Sequence, residues 1–141
     1  VIRAPHRLRD DEDGRILLLA IGYALLALAV VFVTANALTL HLAQQRAETV
    51  ADAAALAAAD GFDVVVGPAG ADARLDAAEV ARLAAEVVAA SPDASLVAAT
   101  TADGVSARVT VATVWQPPIV SMFVPDGVRL SATATTRVAL R

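Results

Sequence analysis

Two histidines are the side chains of this chain best suited to proton transfer or metal ligation, His6 before a long apolar run and His41 just past it. Imidazole titrates near neutral pH, but catalysis also needs a convergent acid, base or nucleophile, and a metal needs further ligands. The sequence offers no triad spacing and no cysteine, so His41 reads as an interfacial side chain. Glu48 and Asp52 lie one helical turn apart and have the spacing for a cation. Two carboxylates on an exposed helix are more commonly a solvated face. Gly67-Pro68-Ala69-Gly70 lacks the lysine and the spacing of a phosphate loop. The expectation is a non-enzymatic protein with no catalytic, cofactor-binding or metal-binding residues, no cofactor and no small-molecule substrate.

The elements around these residues follow from composition and pattern. With 141 residues, a net charge of -4 and 57% hydrophobic residues, the chain has room for one small domain and one membrane segment. The hydrophobic fraction is inflated by 35 alanines, and aromatic residues make up only 4%, so the core should be thin. All 11 basic residues are arginines, scattered beyond the N-terminal arm, and none of their groupings resembles a phosphate-neutralising stripe. No nucleic-acid partner is expected. Without cysteines the chain suits either redox compartment.

Ile16 to Val33 is an uncharged apolar run of 18 residues, about 27 Å of helix and close to the thickness of a bilayer core. Its apolar character continues through Thr34, Asn36 and Thr39 to Leu40, where side-chain hydroxyl and amide groups can meet interfacial water. Arg3, Arg7, Arg9 and Arg15 precede the run, against Arg46 alone within about twenty residues on the other side, which places the N-terminus in the cytoplasm. The expected organisation is a cytoplasmic arm over 1–15, a transmembrane helix over 16–40 and an exported α+β domain over 41–141. A second reading takes Ala35-Asn36-Ala37 as a signal-cleavage site releasing a soluble binding domain after Ala37. The run is longer than a signal peptide requires, which favours the anchor. Gly14 before an apolar helix also has the look of a type IV prepilin processing site, but Leu19 stands where such pilins carry glutamate.

From His41 to Asp60 the residues are strong helix formers without proline or glycine, and Gly61 marks the stop. One helix should run from the membrane into this stalk. Ala43, Ala47, Ala51, Ala55 and Ala59 recur every fourth residue and form a candidate packing stripe, against the chain's own domain or against a partner helix. Phe62 to Gly70 reads as a connecting loop or a brief edge strand. A second, amphipathic helix should start at Ala77, capped by Asp76, with Leu75 and Val80 as a hydrophobic staple and Val80, Leu83, Ala84 and Val87 on one face. Arg82 lies within one turn of both Glu79 and Glu86, and Ser91-Pro92 ends the helix.

The last third alternates as strands. Asp103-Gly104 signals a hairpin that, if tight, sets Leu96 and Ala98 opposite Val111 and Val109 on a shared buried face. Val105, Ala107, Val109 and Val111 alternate with polar residues, as do Val128, Leu130, Ala132 and Ala134, which predicts a three-stranded antiparallel sheet on the helices. Trp115 to Pro125 is apolar but broken by prolines. It either covers the sheet edge or meets lipid or a partner through Ile119, Met122 and Phe123.

Asp13-Gly14, the single apolar helix, the continuation ending in ADAAALAAADG, and the terminal strand GVRLSATATTRV together resemble TadE/TadG-like proteins of tight-adherence (Tad/Flp) pilus assembly. The similarity covers most of the chain and is most specific from Asp13 to Gly61. It implies a pilin-like α+β fold and a membrane-anchored minor or accessory component of a pilus or related secretion machine. The partners it implies are the lipid bilayer and other assembly proteins. Many relatives carry an aspartate near the outer end of the span, where this chain has Thr34-Ala35-Asn36.

Overall fold

The computed structural model describes residues 7–68, 70–118 and 125–138, with side chains from residue 14 onward. The fold is α+β, with a long apolar N-terminal helix, a second helix, a two-stranded hairpin and a three-stranded antiparallel sheet. Helix α1 runs unbroken over Arg7–Asp60. It starts among the arginines and acids that precede Gly14, earlier than the apolar pattern alone suggests. The chain divides into two compact units, 1–38 and 39–141.

In the first unit nearly all apolar side chains of α1 are exposed, from Ile16 through Val33 to Leu38, with Phe32 and Ala35 half-buried. Near its end Thr34 Oγ1 donates to the Val30 carbonyl at 2.8 Å and Asn36 Nδ2 to the Phe32 carbonyl at 2.9 Å. Bonds back to the carbonyl four residues earlier satisfy such groups without water, as apolar surroundings require.

The second unit is built on the outer part of α1. Strands β1 (Phe62–Gly67) and β2 (Gly70–Leu75) form an antiparallel hairpin in which Phe62 pairs with Leu75 and Gly67 with Gly70. Of the two readings of Phe62–Gly70, the strand is the one found. The returning strand β2 has weak strand formers, yet it buries Ala73 and Leu75 between exposed Asp72 and Arg74. Helix α2 (Ala77–Ala89) starts where predicted: the Asp76 carboxylate accepts from the backbone of Ala78 and Glu79 at 2.9 and 3.1 Å. Its fully buried residues are Val80, Ala84 and Val88, with Leu83 and Val87 only partly covered, so the buried face sits slightly round from the expected one.

Strands β3 (Ala94–Thr100), β4 (Ser106–Trp115) and β5 (Val128–Arg137) pair antiparallel in that order. The β3–β4 register corrects the tight-turn expectation. Leu96 does oppose Val111, but an irregularity between Leu96 and Ala98 shifts the pairing, so Ala98 meets Thr110 and Ala99 meets Val109. A bulge inserts one residue and reverses the alternation beyond it, which leaves Ala98 exposed and turns Ala99 toward the core. The turn is correspondingly wider, and the Asp103 carboxylate holds it by accepting from the backbone of Val105 and Ser106 and from the Ser106 hydroxyl.

One cluster of buried residues joins α1, α2 and the inner faces of β4 and β5, with Ala47, Ala51, Ala55, Val80, Val109 and Val111 among its members. Of the 17 buried hydrophobic residues described, twelve are alanines, four are valines and one is leucine. Alanine faces let backbones approach closely. Just past the end of α1, a Cβ on Gly61 would meet the Leu83 Cδ1 methyl and lie 3.2 Å from Glu79 Cγ, both side-chain atoms of α2. Gly61 is not in the left-handed region, so it ends the helix without a left-handed cap, and its space against α2 is bounded by the Leu83 and Glu79 side chains.

Candidate functional site

His6 lies outside the described residues, and among the described residues the side chains suited to chemistry do not converge. The His41 ring nitrogen Nε2 lies 3.1 Å from Gln45 Nε2 on exposed helix surface, and Glu48 accepts from Gln44 at 3.1 Å. Among the described residues no three His, Cys, Asp or Glu side chains are grouped to hold a metal ion. The Arg82 guanidinium pairs with Glu79 at 2.6 Å and Glu86 at 3.3 Å. Its hydrogen bond to Glu79 pulls that carboxyl below its ordinary range. These are exposed, local helix pairs with little effect on stability. Asp103 is pulled down to about 2, first by the Ser106 hydroxyl and then by the Val105 and Ser106 amides, a shift that stabilises a turn.

The alanine stripe lies within the chain's own core. Ala47, Ala51, Ala55 and Ala59 are buried and Ala43 is half-buried. The sequence pattern omitted Ala54 and Ala58, both fully buried. They fall on the same face because residues three and four apart alternate along one side of a helix. Of the proposed contact loop, Ile119, Met122 and Phe123 lie outside the described residues. Its flank is visible: Trp115 is half-buried and Pro117 buried, and with Leu42, Arg46 and Pro118 the tryptophan lines a groove of about 830 Å³. Trp115 Nε1 is buried without a hydrogen-bond partner among the described residues.

Two surfaces escaped the sequence reading. Val64, Val65 and Val66 in β1 are all exposed, Val66 by 80%, because a two-stranded hairpin buries no more than one face and here little of either. The outward face of the larger sheet carries Arg108, Arg129 and Arg137 among serines and threonines. Strand alternation gave these polar positions, but only the pairing shows which of them are neighbours.

Within α1, Gly14–Asp60 includes a stretch long and apolar enough to cross a membrane, with none of that stretch buried in the protein. No curated protein and no solved structure matches the chain. Residues 14–61, which take in that apolar stretch, the alanine-faced continuation and the glycine packed on α2, match the family described as putative Flp pilus-assembly TadE/G-like.

Proposed function

We propose that this protein is a non-catalytic, membrane-anchored, minor pilin-like or accessory component of Flp (Tad) pilus assembly. The carrying observation is the coincidence of the family match over 14–61 with one continuous helix that is apolar and exposed in its first part and alanine-buried in its second. Exposed leucines, isoleucines and valines along several turns suit lipid or neighbouring membrane helices. In this reading residues 16–40 span the bilayer, the N-terminal arm is cytoplasmic, and 41–141 is exported and contacts other assembly proteins. The arginine-rich arm supports that orientation.

The test combines three measurements on the full chain. It should remain in the membrane fraction after a carbonate wash, a periplasm-dependent reporter fused at Arg141 should be active, and gene deletion should remove surface pili. A reporter active only in the cytoplasm would overturn the topology, and unchanged piliation would overturn the assembly role.

The released-domain reading has one observation in its favour: the second compact unit begins at Thr39, two positions past Ala37, so cleavage there would leave that unit whole. N-terminal sequencing decides between the readings. A mature chain starting at Leu38 would replace the anchor.

A further inference from the structure

The second unit presents two oppositely charged outer surfaces. Strands β3, β4 and β5 contain no Asp or Glu. On β5 the outward positions are Arg129, Ser131, Thr133, Thr135 and Arg137, all exposed, and Arg108 of β4 stands opposite Thr135. Arg108 Nε donates to Thr135 Oγ1 at 3.3 Å, and the Thr110 and Thr133 hydroxyls are 2.9 Å apart. None of the three arginines forms an ion pair among the described residues, where both ion pairs belong to Arg82. They are aligned and hold their charge free on a protein whose net charge is -4.

The complement lies on α1. From Ala47 to Asp60 the helix has three acids, Glu48, Asp52 and Asp60, and no base, and all three are exposed. They follow one row of i, i+4 positions completed by Leu56, 56% exposed. The lengths agree. Glu48 to Asp60 is about 18 Å of helix, and Arg129 to the level of Arg108 is six strand positions, about 20 Å. Because the inner faces of α1 and the sheet share one core, the acidic row and the arginine face both look outward and cannot meet within one copy.

We infer that copies of this chain associate head to tail, the acidic row of α1 in one copy lying on the arginine and threonine face of the sheet in the next. A contact between unlike surfaces leaves one of each unused at the ends, so it can repeat into a ring or an open row. Charge complementarity sets orientation and encounter, and Leu56 opposite the threonine hydroxyls supplies the apolar centre. This goes beyond the pilus-assembly reading and does not depend on it, because it rests only on residues of the second unit.

The chain has no cysteine, so cross-linking starts from a clean background. The full chain in detergent carrying both Leu56→Cys and Thr133→Cys should form a ladder of disulfide-linked species on mild oxidation, whereas a control with Glu86→Cys and Thr133→Cys should not. Adding Arg108→Glu and Arg129→Glu to the first pair should reduce the ladder by about tenfold, as should salt near 1 M. Mixing Thr133→Cys carrying both arginine reversals with Leu56→Cys carrying Glu48→Arg and Asp60→Arg should restore a cross-linked dimer. Equal ladders from both cysteine pairs, dimers no larger than those of the single-cysteine variants, or a monomeric chain retained on an acidic polysaccharide through the same arginines would each overturn the contact. Pilus phenotypes play no part in this readout, so its failure is separable from failure of the assembly reading.

Discussion

A Cβ on Gly127 would lie 2.8 Å from the carbonyl oxygen of Trp115, and Gly127 has a φ of +66°. This residue leads into β5 just as Trp115 closes β4, so backbone conformation and space both require glycine. Gly104 has a similar φ of +70° but open space around it. Gly104→Ala should therefore cost about 1 kcal/mol from conformation alone, whereas Gly127→Ala should cost about 2–4 kcal/mol because strain and overlap combine. Equilibrium denaturation of the two variants gives the comparison, and equal losses would show that the Trp115 contact is unimportant.

Ala55 is fully buried and Leu56, its neighbour, is 56% exposed. Ala55→Leu forces three extra carbons between closely packed layers and should destabilise by at least about 2 kcal/mol. Leu56→Ala should stay within about 0.5 kcal/mol. Denaturant midpoints measured on the full chain check both, and tolerance of leucine at 55 would contradict the close approach of α1 to the core.

The Asp76 cap should be separable from the ion pairs of the same helix. Asp76→Ala leaves the Ala78 and Glu79 amides without their acceptor and should cost about 1 kcal/mol, with Asp76→Ser recovering most of it. Glu86→Ala removes only an exposed partner of Arg82 and should leave the thermal midpoint nearly unchanged.

Asp103 gives a pH prediction with a defined sign. Its carboxyl titrates at about 2 in the folded chain against an ordinary 3.8, so the folded state favours the anion. The stabilisation is complete above the ordinary value and lost as pH falls toward 2. Thermal unfolding midpoints should drop over that window, and Asp103→Asn should flatten this part of the profile while lowering stability at neutral pH. An unchanged acid profile in the variant would remove Asp103 from the account.

The legible parts of this fold were those where pattern and local chemistry agree. The apolar run, the helix-forming stretch to Asp60, the Asp76 cap and the alternation in β4 and β5 depend on residues close in sequence. The hairpin return β2 was missed because Gly70-Ala71-Asp72 has little strand preference, and its pairing partner, not its composition, makes it a strand. The bulge between Leu96 and Ala98 was equally hidden, since both registers offer small apolar residues to Val109 and only the wider Asp103 turn selects Ala99. The alanine row was visible at every fourth position, but the part of it formed by Ala54 and Ala58 needed the helix face to be seen against its neighbours. The arginine face could not be read at all from spacing, because Arg108 and Arg137 are brought together by pairing across β4 and β5.

An interior of alanine and valine has a thermodynamic signature of its own. Alanine loses no rotamer freedom on burial and valine little, so ordering these side chains opposes folding only weakly, while each methyl also contributes little transfer free energy. Both halves of the balance are small. Unfolding should accordingly expose modest apolar area and carry a low heat-capacity change for the size of the domain, giving a stability curve that is shallow and broad in temperature. Such a core fixes the distance between its layers through the backbone, with the single methyl group as its unit of fit.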